Sequence, residues 1–489
     1  MTTTIIRKPL PIVVVSKKRT YGLKSTLLIA SGSAAGQLMV VAAMPFITRL
    51  YGPVEMGLYA IFVATVGLFA TVIALHYELA IALPECDLHA RLLTKLALLV
   101  VFALGFVFLG VIITVGDTAL EMIGSMELAS INRLIPVSLV VTGVATVLTY
   151  RAIRSKTFRL TAAGKVSQGI VQPLVQMVCG LLGFGVNGLV YGTLLGQCAT
   201  VFVLARTGFW QEITRGWVSH KSKFLALAGR YKNFPMVSTP SSFINAAVAQ
   251  LPIIALAAWF DIRVVGLYAL GVRILQVPMR FIGDSLSQVF FSMAAEAHRN
   301  GSLESVVKKT WRVQTTFALH SFVPLAIVAP ELFGAVFGQE WREAGVYTQL
   351  IMPWIMVSFV STSLSILVTV LQKQKQEFLF QLVYLSVLPG ALWLGRAGAS
   401  EHLAMGSLGL AASILLTGKI NWLLHIAGVN LAAQVLWLLR EVLYVASVAV
   451  VLILVKTLVG SELLFVFAAT ILVLATHTGN YVLRKTYAF

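Results

Sequence analysis

Apolar stretches long enough to cross a membrane recur from Leu27 to Val482, and Lys and Arg crowd every second gap between them. A run of roughly 20 apolar residues crosses the hydrocarbon as a helix. Barrel strands alternate over about 10 residues and do not read this way. About fourteen spans are expected, near 26–48, 57–83, 92–115, 134–150, 160–183, 187–205, 235–259, 264–292, 313–337, 346–371, 377–395, 403–425, 436–456 and 461–483. The even gaps and the two tails hold 28 of the 37 basic residues, with Arg151, Arg154 and Lys165 assigned to the gap after the fourth span. The odd gaps hold six: Arg49, Arg133, Arg263, Arg342, Arg396 and Lys456. Arg273, Arg280 and Lys419 fall inside spans. Basic loops resist export, so the even gaps and both termini are expected on the cytoplasmic side.

The chain is 58% hydrophobic and 11% charged, against about 25% charged in soluble domains. The positive-inside rule and anionic lipids account for a net charge of +18, so no nucleic-acid partner is expected. Cys86, Cys179 and Cys198 suggest neither a disulfide pair nor a metal cluster. The chain has no Gly-x-x-x-x-Gly-Lys-Ser/Thr and no His-Glu-x-x-His motif. Its longest outer loop is only about 116–133, so the usual apparatus of a membrane enzyme is missing and no catalytic residue is assigned.

The organisation is read as a cytoplasmic tail over 1–25, a first lobe over 26–205, a linker over 206–234, a second lobe over 235–425 and an added hairpin over 436–483. A repeat supports the two lobes. Gly57-Leu58-Tyr59-Ala60 returns as Gly266-Leu267-Tyr268-Ala269, 209 residues and six spans later. Six is even, so both lobes point the same way, as in transporters whose halves enclose a central path. The fold class is an all-α membrane protein of two six-helix lobes around a central cavity, plus the hairpin. Residues 217–231 of the linker suit a short amphipathic helix at the membrane surface.

Charged and polar groups inside the spans are the candidates for work. Arg273 lies about 14 Å into the eighth span at 1.5 Å per residue, where a charge costs at least ~2.5 kcal/mol. Arg280 follows seven residues later on the same face, and Asp284 one turn below it. The set reads as a cationic stripe or as structural ion pairs. Pro278 removes one backbone bond and suits a kink. In the second span, Glu78 is open to three roles: proton acceptor, cytoplasmic gate, or partner of a neighbouring Arg; His76 is a relay or a packing histidine. Gln168, Gln172 and Gln176 recur every four residues, and Gln37 and Asn245 stand among serines in the first and seventh spans. Amides and hydroxyls suit a sugar, and also join membrane helices at ~0.6 kcal/mol each. Gly32-x-x-x-Gly36 and Gly192-x-x-x-Gly196 read as packing motifs.

Thr48-Arg49-Leu50-Tyr51-Gly52-Pro53-Val54-Glu55-Met56-Gly57-Leu58-Tyr59, with Tyr77-Glu78-Leu79-Ala80-Ile81-Ala82-Leu83-Pro84 after it, resembles the polysaccharide and O-antigen flippases. Those belong to the exporter superfamily that includes multidrug extruders and peptidoglycan-precursor flippases. Gln288-Val289-Phe290-Phe291 is similar to the same family, and the likeness covers roughly residues 25–425. Members have twelve helices, so the hairpin departs from the pattern.

The resemblance implies a bacterial inner-membrane protein with both termini cytoplasmic. It would turn a polyprenyl-pyrophosphate-linked oligosaccharide to the outer leaflet for O-antigen or exopolysaccharide synthesis. It also implies membrane lipids, a polysaccharide polymerase and a chain-length regulator as partners. Arg49 and Glu78 become candidate gate residues. No cofactor is implied, and coupling to H+ or Na+ is open through His76, Glu78 or Asp284. A cation antiporter of the same fold is the alternative, and a glycan polymerase or ligase a more distant one.

Overall fold

The computed structural model describes residues 16–123, 129–206, 221–279, 283–430, 432–458 and 465. Every regular element among them is helical. The first lobe holds α1 (Ser16–Leu50), α2 (Pro53–Ala70), α3 (Tyr77–Ala80), α4 (Asp87–Ile123), α5 (Ala129–Asn132), α6 (Leu134–Arg154), α7 (Phe158–Leu181) and α8 (Val186–Ala205). A surface helix α9 (Lys221–Arg230) follows. The second lobe holds α10 (Thr239–Trp259), α11 (Ile262–Pro278), α12 (Asp284–Arg299), α13 (Leu303–Phe337), α14 (Arg342–Leu364), α15 (Ile366–Val370), α16 (Gln374–Ala397) and α17 (Glu401–Ile426). The last helix described is α18 (Ala432–Leu458).

Eleven of these segments are long and apolar enough to cross a membrane. Two more expected spans are present but more polar or broken: α7, which carries Lys165 and three glutamines, and the pair α11–α12. The expected fourteenth span lies outside the described residues. So do residues 1–15 of the tail and residues 207–220 of the linker, while tail residues 16–25 form the start of α1.

The lobes meet through the two copies of the repeat. Pro53 opens α2 and Ile262 opens α11, again 209 residues apart. Each start is fixed locally. Pro53 occupies the first helical turn while Glu55 accepts the Gly52 amide at 2.8 Å, and Asp261 accepts the Arg263 amide at 2.7 Å. The repeated glycines then touch across the interface. A Cβ on Gly57 would lie 2.1 Å from the Ile262 carbonyl oxygen, and one on Gly266 would lie 1.9 Å from that of Pro53. Only glycine permits this approach, and it closes the lobes at the end holding Arg49 and Arg263. Thr48 reinforces that end: its hydroxyl donates to Phe337 O at 3.2 Å, and Trp341 Nε1 donates to Thr48 O at 3.0 Å.

The two sides of this contact differ. α2 lies against both α11 and α10, with Phe69 and Phe243 rings 6.1 Å apart. α1 lies against α7, where Gly32, Gly36 and Gly169 let the backbones meet, and reaches the second lobe at the tip of α13. Leu38 and Phe46 of α1 stay exposed. At the basic-rich end, α9 packs on α4 and buries Leu227.

Two expected spans are interrupted. The span read as 57–83 stops at Ala70, and residues 71–76 turn through a run of short-range bonds before α3. Leu75 and His76 take left-handed φ of 48° and 56°, which costs a non-glycine residue about 1–2 kcal/mol. Non-helical backbone at membrane depth survives where protein covers it, and Ile73, Ala74, Ala80 and Ile81 are buried. Arg154 holds the following turn, donating to Pro84 O at 2.6 Å and to Asp87 at 3.0 Å. In the span read as 264–292, α11 ends at Pro278 and α12 starts at Asp284.

Candidate functional site

Arg273 stands eleven residues into α11, about 16 Å from its start at 1.5 Å per residue, near the middle of a roughly 30 Å hydrocarbon layer. It follows Gly266 by two turns and so shares the helix face that touches α2. Arg273 is half-buried and makes no ion pair among the described residues. Lys419, the other intramembrane cation described from the same set, is spent: its Nζ lies 2.6 Å from Glu377 Oε1. Arg280 lies outside the described residues. Asp284 is placed as the first residue of α12, without a described side chain, so the expected Arg280–Asp284 pair is not part of this geometry.

The break in the second span positions His76 and Glu78. Glu78 is 6% exposed, and its Oε1 lies 2.9 Å from His76 Nδ1. Two buried atoms of the pair, His76 Nε2 and Glu78 Oε2, have no hydrogen-bond partner. An unmatched polar atom in so dry a place costs about 1–3 kcal/mol, and neither atom finds a partner among the described residues. The left-handed turn at His76 is what points its ring at a carboxylate only two residues on.

The glutamine stripe of α7 divides. Gln172 and Gln176 are buried, and their amides approach the Tyr59 hydroxyl at 3.4 and 3.5 Å. Gly192 and Gly196 pack directly on these two side chains. Gln168 instead lines a cavity with Lys165. Gln37 of α1, Asn245 of α10 and Arg49 at the end of α1 are exposed. The structure therefore brings His76 to Glu78 and Gln168 to Lys165, and leaves Gln37, Asn245, Arg49 and Arg273 apart from either group.

Several polar groups were not singled out by sequence reading. Lys165 is counted with a cytoplasmic gap although the expected span 160–183 contains it, and the structure places it seven residues inside α7. The glutamine stripe was the available signal, since Lys165 sits three residues before Gln168 on the same face. Glu331 of α13 is buried and holds two cations, Arg342 at 3.2 Å and Lys456 of α18 at 2.9 Å. Arg312 donates to Gln434 at 2.9 Å and covers the Trp437 ring, and Glu441 is buried beside Thr316. The first helix of the added hairpin is thus docked on α13 by charged and aromatic contacts. Nothing in an apolar span marks such partners from sequence alone.

Comparison with known proteins places this architecture. One solved structure, "Lipid II flippase MurJ, inward closed conformation", matches with a TM-score of 0.70 and 10% identity, over 94% of this chain and 99% of that one. An inward-facing multidrug resistance MATE family transporter of the MOP superfamily matches with a TM-score of 0.59 and 16% identity, over 83% and 94%. An outward-facing conformation of such a transporter matches with a TM-score of 0.53 and 14% identity, over 83% and 96%. At these identities the likeness is one of fold. No curated protein matches in sequence. The family model described as "Polysaccharide biosynthesis protein" matches residues 46–346, well over half of the 489 residues. The chain belongs to that family of polysaccharide biosynthesis proteins, built on the fold shared by MurJ and MATE transporters.

Proposed function

We propose that this protein is a flippase. It takes an oligosaccharide on polyprenyl pyrophosphate from the cytoplasmic leaflet of a bacterial inner membrane and delivers it to the outer leaflet, for O-antigen or exopolysaccharide synthesis. The observation that carries the reading is Arg273: a mid-depth guanidinium with no carboxylate partner among the described residues, on the face of α11 directed at the opposite lobe. A pyrophosphate in a low-dielectric path needs such a cation, and a guanidinium forks onto phosphate oxygens. Arg280 adds a second cation seven residues on. The lobes rock about the Gly57–Gly266 contact, and the lipid tail stays in the bilayer along the less closed side beside α1.

His76 and Glu78 suit a coupling role, since a buried imidazole–carboxylate pair with free valences can take up and release a proton. Sodium is the other candidate. Glu78→Gln is expected to remove the response of transport to a proton gradient while export down the cargo's own gradient persists. Partners on this reading are membrane lipids, a polysaccharide polymerase and a chain-length regulator. A cation antiporter is a second reading, favoured by the same free carboxylate oxygen on Glu78. Resistance to cationic dyes on overexpression would favour it.

The test is a deletion strain. It is expected to accumulate lipid-linked oligosaccharide in the inner leaflet and lose surface glycan. The wild-type protein should restore export, and an equally inserted Arg273→Ala protein should not. Full restoration by that variant would discard the role given to Arg273.

A further inference from the structure

The first lobe contains a cavity of about 170 Å³ between α6, α7 and α8, apart from the α2–α11 contact. Water occupies about 30 Å³ per molecule in the liquid, so the space suits one sugar-sized group rather than a chain. It begins about 10 Å inside the basic-rich end of α7, counting seven residues from Phe158 to Lys165 at 1.5 Å each. Lys165 lines it, keeps an exposed side chain, and has no acidic partner among the described residues.

The remaining valences of the lining define the ligand. Thr142 donates to Gln197 Oε1 at 2.6 Å, Thr146 to Thr142 O at 2.9 Å, Thr149 to Ala145 O at 2.7 Å, and Thr200 to Gly164 O at 2.9 Å. All four hydroxyl protons are therefore committed, and the four oxygens are left to accept. Free donors are the Lys165 ammonium and the amide nitrogens of Gln168 and Gln197, the oxygen of Gln197 being occupied. The cavity thus offers one positive charge, a few donors and a surplus of acceptors. A bare phosphate carries two charges and almost only acceptors, so it would face four hydroxyl oxygens with nothing to give them. A neutral sugar would leave the ammonium unmatched.

We infer that this cavity is a binding site for an acidic sugar unit, its carboxylate on Lys165 and its hydroxyls donating to the threonine oxygens. The inference rests on the flippase reading, and adds that the cargo glycan carries a uronate. The site lies in the first lobe and the diphosphate cation in the second, so one cargo molecule would touch both lobes at once.

Saturation-transfer NMR on the full-length protein in detergent tests this, with D-glucuronate, D-glucose and inorganic phosphate as probes. Glucuronate is expected to bind at least about tenfold more tightly than glucose, since a hydrogen bond to a charged group accounts for about a factor of ten or more. Lys165→Met should weaken glucuronate by a similar factor, Lys165→Arg much less, and phosphate should not displace it. Equal binding of glucose, unchanged glucuronate binding by Lys165→Met, or displacement by phosphate overturns the assignment. Should Lys165→Met fail to insert, Gln168→Leu serves in its place: weakened glucuronate binding supports the site, and unchanged binding overturns it. Translocation by the wild-type protein with no glucuronate binding would overturn the cavity assignment alone. Lys165-dependent glucuronate binding without translocation would keep the cavity and remove the flippase reading.

Discussion

The second and eighth spans begin as copies and end as opposites. α2 and α11 start 209 residues apart, touch through the same glycine, and end at Ala70 and Pro278. Their charges do not match. The position equivalent to Arg273 is Ala64, which is 1% exposed. The position equivalent to Glu78 is Ser287, whose hydroxyl binds Ser363 at 3.1 Å. The second lobe thus places a base where the first has an alanine, and the first an acid where the second has a serine. On the proposed reading, the shared part of the repeat serves as a hinge. The unshared part then gives the second lobe the diphosphate cation and the first the proton or ion handling.

The largest effect is expected where the copies agree. A Cβ at Gly266 meets backbone, which cannot move aside as a side chain can. Gly266→Leu should hold the basic-poor end of the lobes apart, abolish translocation, and cost about 1–3 kcal/mol or more in stability. Spin-label distances between α2 and α11 would show the separation; an unchanged distance would break the hinge account. Next comes the exchange of charge between the copies. Ala64→Arg puts a guanidinium into a dry position, at a cost of at least about 2.5 kcal/mol, read as a lowered thermal midpoint. If it folds as stably as wild type, the two positions are more alike than argued here.

Arg273→Ala should leave the midpoint almost unchanged, because it strands no ion-pair partner among the described residues. It should weaken binding of a lipid-linked diphosphate about 10- to 100-fold, the worth of a charged hydrogen bond. The smallest effect is expected outside the repeat. Lys456→Met removes one of two cations from Glu331, and Lys456 is 39% exposed. Arg342 still holds the buried carboxylate, so the half-exposed lysine contributes up to about 1 kcal/mol. Thermal unfolding should shift by no more than that, with translocation intact.

The outline of this fold was legible because each span needs an apolar run and each cytoplasmic gap keeps its cations. The glycine repeat was legible too, since close backbone approach permits no other residue. The break in the second span was not. Residues 71–76 carry no Gly or Pro, and their turn is imposed by packing around Ile73 and Ala74 rather than by local preference. The span 160–183 contained Lys165, yet its charge was counted with the loop, because a cation near the cytoplasmic end of a span satisfies the positive-inside count and the glutamine face alike. The expected role of Gln172 also looks different beside Tyr59, a neighbour more than a hundred residues away.

The most direct measurement is translocation by the purified protein in sealed vesicles, followed by the access of an external reagent to lipid-linked oligosaccharide. Wild-type protein should expose the internal pool well above protein-free vesicles, and Arg273→Ala should slow this about 10- to 100-fold. Exposure no faster than in protein-free vesicles, or an Arg273→Ala rate equal to wild type, would contradict the account.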